Sequence, residues 1–523
     1  MLRYEFELVI PTGDGICLLL QIHKSQLARA DYIYLLSDEA YQITSNKALT
    51  YSMARDLGIS VPPQVVAFTR NDLEAAVHEF GFPIVVKRPH SAEVYDPLTK
   101  CFVEKIKCAE ELISIATPML AKGPVLVQQH FVGIGVGVET LCRDGEVLIA
   151  FQHERLHEPL GGGGSSYRKS VALDSELLDA TRQLMKALSY TGVCMVEFRY
   201  NPKTRRWVLI EINGRFWGSL PLAVAAGIEF PKYLYEMLRY GKTKFSGDYP
   251  VDLYCRNWVL DLIWFRLNRK VDRSDISEIY VPLHRVMAEF GNVLRMRERN
   301  DTFTIDDPAP AVEEIRSLFA RLLFATAQYF YPVRFYMQSR IRAALRKASS
   351  VLFVCKGNIC RSPFAELYVR RCLPSVTVSS VGTLQVHGRP SPDVAIEAAA
   401  LQNVDLSGHR SRAWTEADAK NWDVFIVFDV DQYRTIRHIA ARYNAANKVF
   451  LLGALDIHGP LQIADPVGKD VRTFQAIYRR IAQSLDRAVA PASNEAFSPK
   501  GATDRFCEAE SIETDSTTSI SKR

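Results

Sequence analysis

No stretch of this chain approaches the ~20 consecutive apolar residues that a membrane-spanning helix needs, and acids precede the first apolar stretch after Met1, so insertion and export are not expected. An excess of either charge is missing too. Lys and Arg number 64 against 59 Asp and Glu, and a net +5 over 523 residues is too little to indicate nucleic-acid binding. The ten cysteines lack the spacing of a disulfide framework or a zinc site, and only Cys355 and Cys360 stand close together, which fits a reducing, cytoplasmic compartment. Cys17, Cys101, Cys108, Cys142, Cys194, Cys255, Cys372 and Cys507 are read as structural or incidental. With 48% hydrophobic and 24% charged residues, the composition is that of a folded chain of more than one domain.

Pattern divides the chain into five segments. Residues 1–45 read as strand (FELVI), helix and strand (YIYLL), too short to bury a core alone. Residues 46–300 alternate apolar strands with amphipathic helices, a mixed α/β body. Residues 301–348 read as a basic helical linker; Arg316 to Lys347 holds seven Lys/Arg and no acid. That stretch is interrupted by Pro332 and is read as a solvated or packed face in preference to a membrane-lying helix. A buried-strand run, Val351-Leu352-Phe353-Val354, opens a parallel-sheet α/β domain over 349–490. The tail, 491–523, has too few large apolar residues to order itself.

The sharpest chemical signal follows that run. Cys355-Lys356-Gly357-Asn358-Ile359-Cys360-Arg361-Ser362-Pro363 is a Cys-x5-Arg loop between a strand and a helix. Such a turn aims backbone N–H groups and the positive end of a helix dipole at one point, which suits a phosphate dianion and favours a thiolate on Cys355. Arg361 supplies a planar fork for phosphoryl oxygens. Gly357 is expected to let the loop curl, Asn358 and Ser362 to hold it by hydrogen bonds, and Lys356, Ile359 and Cys360 to complete it. Asp465, before Pro466, is the candidate general acid, and Cys360 is close enough to the nucleophile for a protective disulfide.

This loop, with Ser380-Val381-Gly382-Thr383 and His409-Arg410-Ser411-Arg412, resembles the low-molecular-weight protein tyrosine phosphatases over about residues 350 to 488. The resemblance implies a cofactor-free phosphatase with Cys355 as nucleophile, Arg361 as phosphate ligand and Asp465 as general acid. Members often place an aromatic after the Asp-Pro pair, where this chain has Val467-Gly468, leaving open the preference for phosphotyrosine over another phosphoester or arsenate.

A second signal lies in the middle body. Met195-Val196-Glu197-Phe198 and Trp207-Val208-Leu209-Ile210-Glu211-Ile212-Asn213-Gly214-Arg215 read as a hairpin that brings Glu197 near Glu211, with Asn213 on the face of Glu211. Two carboxylates and an amide suit Mg²⁺ that also holds phosphate oxygens. Lys87 at a strand end and Lys47 are candidates to reach those phosphates, Gln128 and Gln129 lie on a strand turning polar as an adenine-binding connection would, and Gly161 to Gly164 form a flexible loop. In this order the stretch from Lys47 to Arg215 resembles the ATP-grasp carboxylate–amine ligases. The resemblance implies ATP and Mg²⁺ as cofactors, Glu197, Glu211 and Asn213 as metal ligands, Lys87 on phosphate and Arg215 beside an acyl-phosphate. Residues 1–45 would then be a shortened version of the domain that usually precedes the ATP-grasp fold.

The expectation is a two-enzyme fusion, an ATP-grasp α+β ligase joined to a parallel-sheet tyrosine phosphatase. It would act on a phosphotyrosine protein or other phosphoester and on a small carboxylate and amine, without nucleic acid and without reliance on a membrane surface. The rivals are an inactive ATP-binding module that scaffolds or regulates the phosphatase, and a carboxy-terminal arsenate reductase.

Overall fold

The computed structural model describes residues 6–27, 29–91, 103–120, 123–159, 164–272, 275, 279–327, 330–456 and 459–489. The expected disordered tail, Gly161 to Gly163, Cys101 and Cys507 lie outside the described residues. The chain divides into two compact units, Met1–Glu314 and Ile315–Arg523. Among the described residues, no helix is long and apolar enough to cross a membrane.

The first unit carries two sheets. One is small and antiparallel, β1 (Gln64–Ala67), β2 (Ile84–Lys87), β3 (Val103–Ile106) and β4 (Val125–Gln129), in the order β1-β4-β2-β3. The other has seven strands: β5 (Ile134–Arg143), β6 (Glu146–His157), β7 (Tyr167–Val171), β8 (Gly192–Asn201), β9 (Arg206–Asn213), β10 (Tyr254–Arg256) and β11 (Glu298–Asn300). Their order is β11-β10-β7-β6-β5-β8-β9, antiparallel except for β10 with β11. The core covers both faces of this sheet: Val138, Val196 and Leu209 lie on the face that carries the helix Ser175–Ala187 with Leu184, and Phe151 and Met195 lie on the other. Each such side chain, fully buried, contributes about 1.5–3 kcal/mol.

The first 45 residues are built into this core. Tyr34 and Leu36 belong to it, and the Tyr34 hydroxyl accepts a hydrogen bond from the Val193 amide. Gly192 makes that approach possible, because a Cβ there would fall 1.8 Å from the Tyr34 hydroxyl oxygen. FELVI and YIYLL contribute only one bridge, Val9 to Ile33, instead of two strands, since each finds no further neighbour to pair with. The ordered elements here are α1 (Asp14–Ile22) and the helix Asp38–Ser45, followed by α2 (Lys47–Asp56).

Two further helices, α3 (Trp258–Asn268) and α4 (Leu283–Leu294), attach through buried charge. His157 of β6 meets Asp261 at 2.7 Å and Glu289 at 3.1 Å, and its ring stacks on Trp264 with centroids 3.4 Å apart. Arg256 of β10 pairs with Asp261 and, at 2.9 Å, with Glu298. Burial opposes protonation of His157, but the bonds to Asp261 and Glu289 prevail and raise its pKa.

The second unit has a four-stranded parallel sheet, β12 (Ser350–Cys355), β13 (Thr377–Gly382), β14 (Val424–Val427) and β15 (Val449–Leu451), in the order β13-β12-β14-β15. Its helices include α5 (Tyr331–Lys347), α6 (Arg361–Cys372), α7 (Val430–Ala441) and α8 (Val471–Val489). β12 is central and buried on both faces, which explains its uninterrupted apolar run. Within the stretch read as a linker, α5 belongs to this unit's packing. Ile341 is fully buried in its core, and Arg334 donates to the Gly459 carbonyl at 2.5 Å, so this part of the basic stretch packs as one face of a helix against its unit.

Replacing Arg256 with alanine leaves Asp261 and Glu298 buried beside a lost partner. It should destabilise the first unit by about 3–5 kcal/mol, read as an earlier urea-unfolding transition for that unit.

Candidate functional sites

In the second unit, β12 delivers Cys355 to a tight loop that ends at the first residue of α6, Arg361. The Cys355 sulfur lies 3.0 Å from the Ser362 hydroxyl and accepts the Asn358 amide at 3.2 Å. Asn358 is the centre of the loop. Its φ of 52° makes the left-handed turn, its side-chain amide donates to Ser362 at 3.0 Å and Ser380 at 2.8 Å, and its side-chain oxygen accepts the Arg412 amide at 2.7 Å. His409 bonds the Asn358 carbonyl at 2.7 Å.

The curl expected of Gly357 is therefore carried by its neighbour. A Cβ on Gly357 would make only ordinary contact with Ile359 at 3.5 Å. The glycine with a steric task is Gly382, where a Cβ would sit 3.0 Å from the Lys356 carbonyl oxygen and the Gly357 carbonyl carbon. Ile359 and Cys360 are buried in the core, with burial pushing the Cys360 thiol pKa upward, while Lys356 stands exposed at the rim.

Arg361 is 2% exposed and engages Asp465 at 2.6 Å, Asp429 at 3.1 Å and the Ile463 carbonyl at 2.9 Å. Asp429, absent from the sequence reading, also caps α7 by accepting the Gln432 amide at 2.8 Å. An Asp before a helix reads first as a cap, which hides any second task.

In the first unit, β8 and β9 set Glu197 directly opposite Glu211, and Met195 opposite Asn213. The Asn213 amide donates to Glu211 at 3.0 Å. Lys47, at the start of α2, donates to Ser91 at 3.0 Å and lies 3.6 Å from Glu211. Lys87, at the end of β2, donates to the Tyr51 hydroxyl at 2.9 Å and to Gln128 at 3.1 Å. Burial lowers the Lys87 pKa to about 8, against the raising influence of Glu211 and Glu197. Burial would raise the Glu211 pKa, but Lys47, the Asn213 bond and Lys87 outweigh it and hold the carboxyl well below its ordinary value.

Three placements differ from the sequence reading. Gln128 and Gln129 are neighbours on β4 and therefore face opposite ways, so only Gln128 reaches Lys87 while Gln129 donates to the Phe80 carbonyl at 3.4 Å. Both oxygens of Glu197 accept from Arg155, at 2.7 and 2.6 Å, a residue two strands away that no local motif marks. Arg215 grips Asp14 of α1 through two bonds of 2.6 and 2.7 Å, beside a cavity of about 50 Å³ lined by Cys17, His90, Ser91 and Asn213.

Glu197, Glu211 and Asn213 are oxygen donors of the kind Mg²⁺ takes, and an oxygen that accepts one hydrogen bond keeps a lone pair for a cation, so the set fits. Among the described residues no group of three or more His, Cys, Asp or Glu is placed to hold a metal ion. The four cations Lys47, Lys87, Arg155 and Arg215 around these acids suit a polyanion.

Comparison with known proteins agrees with both halves. The family model for "Low molecular weight phosphotyrosine protein phosphatase" matches residues 350–495. A putative low molecular weight protein-tyrosine-phosphatase of Klebsiella pneumoniae is 34% identical over 138 residues, 26% of this chain and 92% of that protein. The chain belongs, through its second unit, to the low molecular weight protein-tyrosine-phosphatases. Etp of Escherichia coli K12 is 34% identical over 133 residues, 25% of this chain and 86% of its own. The crystal structure of the tyrosine phosphatase Wzb from Escherichia coli K30 with sulphate shares 31% identity, 27% of this chain and 95% of that one, with a TM-score of 0.25. The model for "ATP-grasp in the biosynthetic pathway with Ter operon" matches residues 122–251, so the first unit carries an ATP-grasp domain.

In the phosphatase unit, Gly382→Ala should push the loop backbone by a few tenths of an ångström and slow aryl phosphate hydrolysis about tenfold, with the unfolding midpoint little changed.

Proposed function

We propose that the phosphatase unit hydrolyses phosphotyrosine esters through a phosphocysteine. The observation that carries this is the Cys355 sulfur within reach of the Asn358 amide and Ser362 hydroxyl, beside an Arg361 that also holds Asp465. The Cys355 thiolate attacks phosphorus, the bond from phosphorus to the tyrosyl oxygen breaks, and Asp465, as the carboxylic acid, protonates that oxygen. Water then attacks the phosphocysteine, Asp465 takes its proton, and the sulfur–phosphorus bond breaks to return the thiolate and release phosphate. Substrate phosphate takes over donors of Arg361 that Asp465 occupies in the structure, which frees the carboxyl to face the leaving oxygen. Cys355→Ser should abolish hydrolysis of an aryl phosphate and of phosphotyrosine peptides, and Asp465→Asn should slow it at least ~100-fold. Turnover by Cys355→Ser would overturn the mechanism.

For the ATP-grasp unit we propose ATP- and Mg²⁺-dependent joining of a small carboxylate to an amine. Glu197, Glu211 and Asn213 would hold Mg²⁺, which supplies charge neutralisation on the phosphates. Lys47 and Lys87 would bind those phosphates, and Arg215 would orient the carboxylate after exchanging Asp14 for it. The bidentate grip of Arg155 on Glu197 favours a second reading, a nucleotide-binding module without turnover. Release of ADP with a panel of acids and amines decides between them. In either case nucleotide affinity should fall as pH rises through about 8, because Lys87 then loses its charge. Lys87→Met should bind more weakly and lose that dependence, read by calorimetric titration.

A further inference from the structure

α3 is amphipathic in the inverted sense, and α4 turns most of its apolar residues to solvent. On α3, Asp261, Trp264 and Asn268, spaced i, i+3, i+7, are the buried residues, and they meet His157, Arg256 and the Val281 backbone. The outward stripe at the same spacing is Leu260, Ile263 and Leu267, between 38% and 52% exposed. On α4 only Val286 is buried, while Leu283, Met287, Phe290 and Leu294 form an outward row at i, i+4, i+7, i+11, with Leu294 85% exposed. The rings of Trp258 and Phe290 stack at 6.0 Å and join the two rows. A continuous apolar face of this size, held outward by a buried charge cluster, marks an interaction surface.

The charge around it selects the occupant. Arg266, Arg269 and Lys270 at the end of α3 and Arg295, Arg297 and Arg299 after α4 are exposed. Among the described residues of 258–300, Asp272 is the one exposed acid; Asp261, Glu289 and Glu298 face Arg256, and Asp275 pairs with Lys107 at 2.8 Å. Two copies of so basic a face would repel each other, whereas an anionic lipid surface attracts the rim and accepts the apolar rows among its acyl chains. We propose that the outer face of α3 and α4 docks the protein on anionic membranes, lying in the interface without crossing it. The segment Arg316 to Lys347, read from its sequence as a solvated or packed face, places Ile341 in a protein core.

Flotation of the full chain with vesicles of phosphatidylcholine alone, or mixed with phosphatidylglycerol, tests this. The chain should bind the mixed vesicles only, and less as salt is raised. Ile263→Ser with Met287→Ser and Leu294→Ser, or Arg266→Glu with Lys270→Glu and Arg295→Glu, should each weaken binding about tenfold or more. Circular dichroism and thermal unfolding unchanged in both sets would show that the fold is kept. Absence of binding to the mixed vesicles, equal binding to neutral ones, or binding indifferent to both sets overturns the proposal. So does a wild-type dimer that the serine variant dissolves, which would make a second copy the occupant.

Discussion

A buried cation must find oxygen atoms to face, and this requirement organises the molecule at three places. Lys87, Arg256 and Arg361 are 4%, 1% and 2% exposed, and desolvation at that level is tolerated only with carboxylates, carbonyls or hydroxyls at hydrogen-bond distance. Arg361 meets that demand with Asp465, Asp429 and the Ile463 carbonyl, which draws the late Asp-Pro loop of the phosphatase unit onto the helix that follows the nucleophile. Arg256 meets it with Asp261, Glu289 and Glu298 and so fastens two helices to the edge of the large sheet. Arg361 in the candidate site and Arg256 in the framework rest on the same physics, and differ in whether an incoming anion can replace the partner.

That difference is visible in the partners. Asp465 is 35% exposed on its side chain and Asp14 39%, so phosphate or carboxylate arriving from solvent can compete for Arg361 or Arg215. Asp261 and Glu298 are nearly inaccessible, and nothing from solvent reaches Arg256. In the ATP-grasp unit the intermediate situation holds. Glu211 stays ionised among Lys47, Lys87 and Arg155, while both oxygens of Glu197 are bonded to Arg155.

Much of the phosphatase unit was legible in the sequence, because its motif is local: strand, Cys-x5-Arg loop and helix are contiguous, and one short stretch carries the candidate nucleophile, the candidate phosphate ligand and the turn. The hydrogen-bonding roles of Asn358 and Ser362 were legible too, but the backbone shape of the loop was not. Asn358, not Gly357, takes the left-handed turn, and Gly382 clears space from a neighbouring strand. In the ATP-grasp unit the pairing of Glu197 with Glu211 followed from hairpin periodicity, but Arg155, Tyr51 and Asp14 reach the site from other elements and carry no signature of their own. The inward polar stripe of α3 was hidden because an apolar helix in sequence is ordinarily assigned its apolar face as the buried one.

The α/β character, the phosphatase and ATP-grasp domains and the candidate groups of each site could be read from the sequence alone, since strand periodicity, loop residues and reactive side chains are properties of contiguous segments. Tertiary structure alone decided which carboxylate faces which cation, which glutamine of a neighbouring pair turns inward, and which face of α3 meets solvent. Those outcomes depend on the cost of leaving a buried charge unpaired, and the partners that settle it come from strands and helices far apart in the chain.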